Sequence, residues 1–527
     1  MSTSFRGIWK KYPTKGSRTG EKFLKKEDLD EEIRKFCDML VVGDMKEEYY
    51  YSTMDVAMDV FKRHRDLIDK NSEMYKEIVE LMRPVMLDCQ KVISAIYLWD
   101  RNVDERLAIE LLKDVRPTWK IAFFYAFKKL HSEMGLKHKG WGRRMRRLVK
   151  EFLKNCLPFY FIKYRSKLIH LARWAHLSPE EIVDLYFLFR DYKKDFDILL
   201  KLASHSDLYS DYFNLKNVLE DNSLLLDFLW KTNLPFTILK GYLGKKLNDP
   251  KFFKAILHTM TVWETILSLK QIEERGLVED EYVLNLIREK LTSGRVEELR
   301  IDPVELLQAY RKVNHSLLKG LLEDLILRQI RMIGSKLREL LGDLEVAVVF
   351  DISGSMERVA EWSIALATAI GLNCNLKRLV AFNQDAHLVP IPKEERDFFR
   401  LLSSVRVGGS TALGKGLLSA LESNPDLIIV ISDFEQNVEP YSDEVYNHWT
   451  RVLGREFPKV ISIKFVYTPE TRVGELMARM RGVWLNIPEE EKIVIRNVWD
   501  LATVLEYLLN LLPLIKKRKK KWISYVR

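Results

Sequence analysis

From about residue 28 to about residue 340 apolar residues recur three and four positions apart, with few strand-like alternations, which predicts helices nearly throughout. Leu322, Ile326, Ile330, Ile333, Leu337 and Leu340 share one face of such a helix. So long a run of helices of ordinary length does not fit a single bundle, and stacked helix pairs in a solenoid bury their apolar faces more economically. No short repeat motif is visible by eye, so any repeats have diverged.

Around Gly342 the pattern changes. Leu344–Phe350 is a short apolar run rich in β-branched residues, the mark of a buried parallel strand. Similar runs at Lys377–Phe382, Asp426–Ser432 and Lys459–Tyr467 alternate with helical stretches near 356–371, 411–422 and 442–455. That alternation predicts a doubly wound α/β sheet with helices on both faces. A helix-like segment, Leu501–Leu512, precedes a basic run from Lys516 to Lys521, which reads as a solvated tail. The expected division is an N-terminal extension (1–27), an all-α helical-repeat domain (28–342), an α/β domain (343–515) and a basic tail (516–527).

Composition agrees with a multidomain globular chain. The 527 residues exceed one comfortable core, and 47% hydrophobic content is ample for several. The excess of 85 Lys and Arg over 75 Asp and Glu leaves +10, which permits a polyanionic partner without establishing one. Cys37, Cys89, Cys156 and Cys374 lie far apart with no CxxC pair, which suggests neither a zinc motif nor a disulfide framework. The N-terminal stretch lacks the apolar core of a signal peptide, and no apolar run is long enough to span a membrane. A soluble, monomeric protein of the reducing cytoplasm, without a membrane partner, is the expectation.

Candidate chemistry begins directly after the first apolar strand. Asp351-Ile-Ser353-Gly-Ser355 places a carboxylate and two hydroxyls on the loop at the carboxyl end of that strand, the edge where open α/β sheets bind ligands. Two further loops supply what it lacks: Gly408-Gly409-Ser410-Thr411, opening a helix, and Ser432-Asp433, closing a strand. Asp351, Ser353, Ser355, Thr411 and Asp433 then converge on one hard divalent cation, Mg2+ or Mn2+, which retains waters and leaves a position for a partner's carboxylate. Three such loops in order resemble the von Willebrand A domain with its metal-ion-dependent adhesion site. Ser410 and Thr411 compete for one ligand position, and the family's three-residue offset to the following Gly favours Thr411. No general base, P-loop lysine or nucleophile elbow accompanies the motif, so no catalytic residue is assigned.

Two basic segments carry the other candidate function. In Gly140–Lys154 the apolar Met145, Leu148, Val149 and Phe152 mark a buried face, and Arg143, Arg147, Lys150 and Lys154 fall on another, with Arg144 beside them. Such a cationic stripe neutralises successive phosphates and releases their counterions. In Lys163–Pro179 the spacing aligns Lys163, Lys167 and His170, while Arg165, Arg173 and His176 add donors on adjoining faces. Tyr164 and Trp174 are placed either to stack on unpaired bases or to fill the core. One basic helix alone is most simply a solvated charged face, but two in succession with few intervening acids favour a polyanion.

The order Arg-Lys-Phe…Val-Gly-Asp…Tyr-Tyr-Tyr at 34–51, Trp-Gly-Arg-Arg-Met-Arg at 141–146, Lys-Tyr-Arg-Ser-Lys…Leu-Ala-Arg-Trp-Ala-His-Leu-Ser-Pro at 163–179, Leu-Pro-Phe at 234–236 and Lys290-Leu-Thr…Arg300-Ile-Asp-Pro-Val-Glu-Leu-Leu resembles the TROVE family of Ro-type RNA-binding proteins. The resemblance implies HEAT-like repeats closed into a ring by the A domain. It implies binding of structured or misfolded noncoding RNA, with single-stranded ends entering the ring's basic hole and Y RNA on its outer surface. Lys163, Arg165 and Lys167 then match the family's basic cluster, and His176 the histidine before its Pro-containing turn. The family's Gly-Trp-Ser-His element is missing between Lys167 and Leu171. The expected role is a ribonucleoprotein component in RNA quality control or processing, with a ribonuclease or other protein as a further partner through the A domain. The alternative is a metal-dependent protein adaptor that binds no RNA.

Overall fold

The computed structural model describes residues 26–42, 53–116, 120–121, 124, 143–189, 195–293, 301–356, 359–432, 434, 436, 438–465, 490–495 and 503–511. Among the described residues, helices predominate up to Leu341, as the apolar periodicity predicts. Many begin at a side chain that caps an orphan amide: Asn71, Asp104, Asp195, Asp221, Asp249 and Asp280 each accept from a backbone N–H of the first turn. Most are short, and each packs on the next or next but one, as Phe196–His205 does on Asp207–Val218 and the latter on Asn222–Lys231. This is the solenoid economy: no helix buries its apolar stripe alone.

The predicted face of Ser316–Leu341 is buried at Leu322, Ile326, Ile330, Ile333 and Leu337, with Leu340 at its edge. The helix ends at Gly342 in a left-handed conformation, and the sheet begins. Strands β1 (Glu345–Asp351), β2 (Asn375–Phe382), β3 (Ala386–Leu388), β4 (Leu427–Ile431), β5 (Lys459–Phe465) and β6 (Glu490–Ile495) lie in the order β3-β2-β1-β4-β5-β6. All neighbours are parallel except the edge strand β3. The sequence reading places β1, β2, β4 and β5 but not β3, β6 or the helix Asp397–Ser404. β3 is only three residues long, and β6 opens on two glutamates, so neither shows the apolar run of a buried strand.

Alternate residues of each strand divide between two cores. Ala347, Val349, Val380, Ile428 and Val430 face helices Leu413–Leu421 and Ser442–Asn447 in a separate cluster. Val346, Val348, Phe350, Leu379, Ile429 and Ile461 belong instead to a core continuous with the helical domain. The connecting piece is helix Val359–Asn373, which packs on the sheet and on Ser316–Leu341 at once. Its Ile364, Ala365, Leu366, Ala367, Ala369 and Ile370 are all buried, so apolar residues cover nearly its whole circumference, as a helix enclosed on both sides requires. The two helices meet at Gly334, where a Cβ would come within 2.0 Å of the Asn373 amide and 2.7 Å of the Ala369 carbonyl.

At the other end of the chain, helix Lys26–Val42 lies against β6 and Ser72–Met82 against Tyr507–Leu511. The Tyr507 hydroxyl donates to the Asp38 carboxylate at 2.7 Å. Burial, with the neighbouring carboxylate, drives the Tyr507 phenol upward from its usual range, so it remains a donor. The α/β domain therefore touches both the first and the last helices of the solenoid and closes a ring.

Inside the first helices sits a buried polar group. The His64 ring is fully enclosed; its Nε2–H donates to Gln90 Oε1 at 2.8 Å, and its Nδ1 accepts from the Tyr75 hydroxyl at 2.7 Å. It stacks on Tyr97 at 5.9 Å and meets Phe36 edge-on at 5.0 Å. Burial depresses its pKa from 6.5 to about 4.

Two predictions follow from this packing. Gly334→Ala, which forces backbone apart, will lower stability by about 1–3 kcal/mol. Gly320→Ala, in the same helix but with no atom within 4 Å of the new methyl, will raise it by up to about 1 kcal/mol; paired urea melts measure both, and equal effects would contradict the close approach. For His64 the native state binds its proton more weakly than the unfolded chain, so its contribution is complete above pH 6.5 and is lost as pH falls toward 4. The loss amounts to about 3 kcal/mol, and His64→Gln will flatten that acid limb of the stability–pH curve.

Candidate functional site

Strand order β2-β1-β4-β5 reverses direction of growth between β1 and β4, which opens a crevice at the carboxyl ends of those two strands. Asp351 is the last residue of β1 and is fully buried there. Its Oδ1 accepts from the Ser353 amide at 2.7 Å, and its Oδ2 accepts from the Ser432 hydroxyl at 2.6 Å. Ser432 stands directly after β4, so the first and third predicted loops meet at one carboxylate. Ser432 was legible only as loop sequence; nothing in its spacing marks it as the residue that orients Asp351.

The second loop is stitched to the first along the backbone. Gly408 N donates to Ile352 O at 2.8 Å, and Gly354 N donates to Gly409 O at 3.2 Å. Gly409 has φ +88°, a conformation costly to any residue with a Cβ. Thr411 is 2% exposed whereas Ser410 faces solvent, so of the two rival hydroxyls Thr411 is the one turned inward. Val438 N donates to Thr411 O at 3.2 Å, which ties this loop to the segment after β4. Asp433 and the side chain of Ser355 lie outside the described residues. Among those described, Asp351, Ser353 and Thr411 are gathered at the crevice.

The donor chemistry at this point is all oxygen: one buried carboxylate and two buried hydroxyls. That set fits a hard cation such as Mg2+ or Mn2+ and would suit zinc or copper poorly. Among the described residues no group of three or more His, Cys, Asp or Glu forms an alternative metal cluster. Of the free cysteines Cys37 and Cys156 are buried, and burial raises the Cys156 thiol to about 12, which leaves it unreactive.

Most of the basic candidates lie on two helices in contact, Arg143–Lys154 and Arg165–Trp174. In the first, Leu148, Val149, Phe152 and Leu153 are buried, while Arg143 and Arg147 are exposed. The side chain of Arg144 lies outside the described residues. Lys150 is half-buried and forms an ion pair with Glu181, a partner the sequence reading does not anticipate, and that contact is the chief cause holding the Glu181 carboxyl below its usual range. Its charge is thus already compensated from across the fold.

The second segment is not the single helix that the spacing suggests. It breaks at Tyr164 (φ −112°, ψ 28°) into Pro158–Lys163 and Arg165–Trp174, so Lys163 is not in helical register with Lys167. Lys163 is exposed, its ammonium 5.3 Å from the Phe159 ring and 5.5 Å from the Tyr164 ring. Arg165 is half-buried with its guanidinium over Phe187 at 5.1 Å. Beyond it, Lys167, His170 and Arg173 share the exposed face opposite the buried Leu168, Leu171 and Ala172. His170 stacks on the half-buried Trp174 with centroids 5.7 Å apart. His176 is exposed at φ +52° and caps the helix: its N–H donates to Arg173 O, and Leu177 N–H reaches back to Ala172 O.

Among the described residues no helix is long and apolar enough to cross a membrane. No curated protein matches the sequence. Residues 310–448 match the model of a family described as VWA domain containing CoxE-like protein. That match spans β1, both helices that flank the Asp351 loop and the second and third loops. Among solved structures, the crystal structure of the Ro (RSR) protein of Deinococcus radiodurans aligns with a TM-score of 0.60 at 14% identity, over 90% of this chain and 99% of that one. A helical-repeat ring completed by a von Willebrand A domain, the fold of a Ro protein, is therefore the architecture of this chain.

Proposed function

We propose that this protein is a non-enzymatic RNA-binding scaffold for structured or misfolded noncoding RNA, including Y RNA-like molecules and single-stranded 3′ ends, acting in cytoplasmic RNA quality control or processing. The observation that carries the reading is a set of exposed cations on neighbouring helices. Arg143 and Arg147 are exposed on one helix, Lys167, His170 and Arg173 on the helix it touches, and Lys163 and His176 flank that second helix on either side. Lysines and arginines there meet phosphates, and the stacked His170–Trp174 pair offers a flat surface to an unpaired base. Ro-type architecture supports the same reading, because the ring brings these helices into one closed body.

The A-domain crevice complements it. Asp351, Ser353 and Thr411, with Ser355 and Asp433 from the same loops, would hold Mg2+ or Mn2+, and the ion would offer a coordination position to a carboxylate of a partner such as a ribonuclease. Retention of a partner that is lost with EDTA and indifferent to ribonuclease treatment would favour the adaptor reading over the RNA scaffold.

Filter binding of a structured RNA with a single-stranded 3′ end tests the first proposal. Affinity will fall by about a thousandfold or more between 50 and 200 mM salt if six or more phosphates are neutralised. The triple variant Lys163→Ala/Lys167→Ala/Arg173→Ala will reduce the slope of log affinity against log salt by about 3. Weak binding at low salt, or an affinity flat with salt, would remove the RNA role. Calorimetric titration of Mn2+ tests the metal: the wild type will take up one ion and Asp351→Ala none, and an unchanged stoichiometry in the variant would refute the site.

A further inference from the structure

β2 supplies none of the expected ligands, yet its carboxyl end grips two of the three loops that do. Phe382, its last residue, accepts at its carbonyl from Ile352 N at 2.8 Å, directly beside Asp351. Asn383, the next residue, reaches the Thr411 loop twice. Its carbonyl accepts from Ala412 N at 2.7 Å, and its side-chain Nδ2 donates to Gly408 O at 3.0 Å. These two bonds bracket Gly408–Ala412, so the loop is fixed on either side of Thr411.

The rest of the Asn383 side chain is itself fixed. Oδ1 accepts from the Asp385 amide at 3.1 Å and lies 3.2 Å from His387 Nε2, and Asn383 N donates to Asp385 O at 3.0 Å. Lys415, on the helix that the Thr411 loop opens, donates to Gln384 O at 2.8 Å and to Asp385 at 2.7 Å. The turn is therefore tied both to the loop, through Asn383, and to the helix that the loop opens, through Gln384 and Asp385. Gly409 passes close by: a Cβ there would stand 3.4 Å from Asn383 Nδ2, an ordinary van der Waals contact.

From this geometry we infer that Asn383 is a positioning residue of the cation site, holding the Thr411 hydroxyl at ligand distance from the ion bound by Asp351. The inference rests on the metal reading above. Its physical basis is that a loop of glycines has little conformational preference of its own, so its ligand arrives in place only if something outside the loop holds it. A hydroxyl is a weak neutral donor and tolerates displacement poorly, whereas Asp351 is oriented independently by Ser353 and Ser432.

The experiment is Mn2+ titration of the full chain, followed by calorimetry and by the electron paramagnetic resonance of the free ion. Asn383→Ala will weaken Mn2+ about 10–100-fold with unchanged stoichiometry, and the thermal midpoint of the EDTA-treated protein will stay near that of wild type. Asn383→Asp preserves size and the Oδ1 acceptor but removes the Nδ2–H donor, and it adds negative charge near the ion. Its affinity will nonetheless fall, and it serves alone if the alanine variant does not fold. Wild-type affinity in Asn383→Asp, or a rise driven by the added charge, overturns the positioning role while leaving the metal site standing. No Mn2+ uptake by the wild type overturns both.

Discussion

Helix Val359–Asn373 has almost no polar face to give to water, and this constraint organises the molecule. A helix apolar around its circumference is stable only when covered on two sides. Here the sheet covers one side and Ser316–Leu341 the other, with backbones close enough at Gly334 that a methyl group does not fit. The two domains therefore share a core instead of merely touching. Polar contacts around the rim add orientation: Arg331 donates to Glu395 at 2.7 Å, Arg311 pairs with Glu361, and Tyr310 packs on Phe399. Exposed pairs of this kind contribute little energy singly, and the shared apolar core carries the joint.

The same helix begins where the Asp351 loop ends, so the loop is anchored between a rigid strand and a rigid helix. Its partner loops come from elements that are equally enclosed: β4 is buried along its whole length, and Leu413–Leu421 packs so closely that Gly414 lies against the Pro440 carbonyl and Gly416 against Phe382. The crevice thus takes its shape from buried secondary structure and not from the loops themselves. This is how a few small polar residues on glycine-rich turns become a defined site.

Much of this was legible in the sequence, for reasons that differ by element. Strands β1, β2, β4 and β5 announce themselves because burial on both faces leaves no polar alternation, and the Asp351 motif is readable because its ligands lie within five residues. Between Ser410 and Thr411 the sequence offers only the family's offset to the following Gly, whereas in the fold Thr411 is buried and Ser410 is exposed. Contacts across the fold left no local trace. Lys150 looks like any other cation of its stripe until Glu181, 31 residues away, folds against it. The break at Tyr164 has no glycine or proline to signal it, so helical spacing carried straight through. Asn383 is a single asparagine after an apolar strand, and its importance comes from what approaches it.

The bond between Asp38 and Tyr507 joins residues 469 positions apart. Domains form as the chain leaves the ribosome from its N-terminus, so the first helix exists long before its partner has been made. In the folded protein Asp38 also lies 3.8 Å from Arg34, one turn earlier on its own helix. Contacts as distant in sequence as that with Tyr507 form late, because they wait on everything between them. The seam of the ring thus waits on the helices and strands that lie between its two sides.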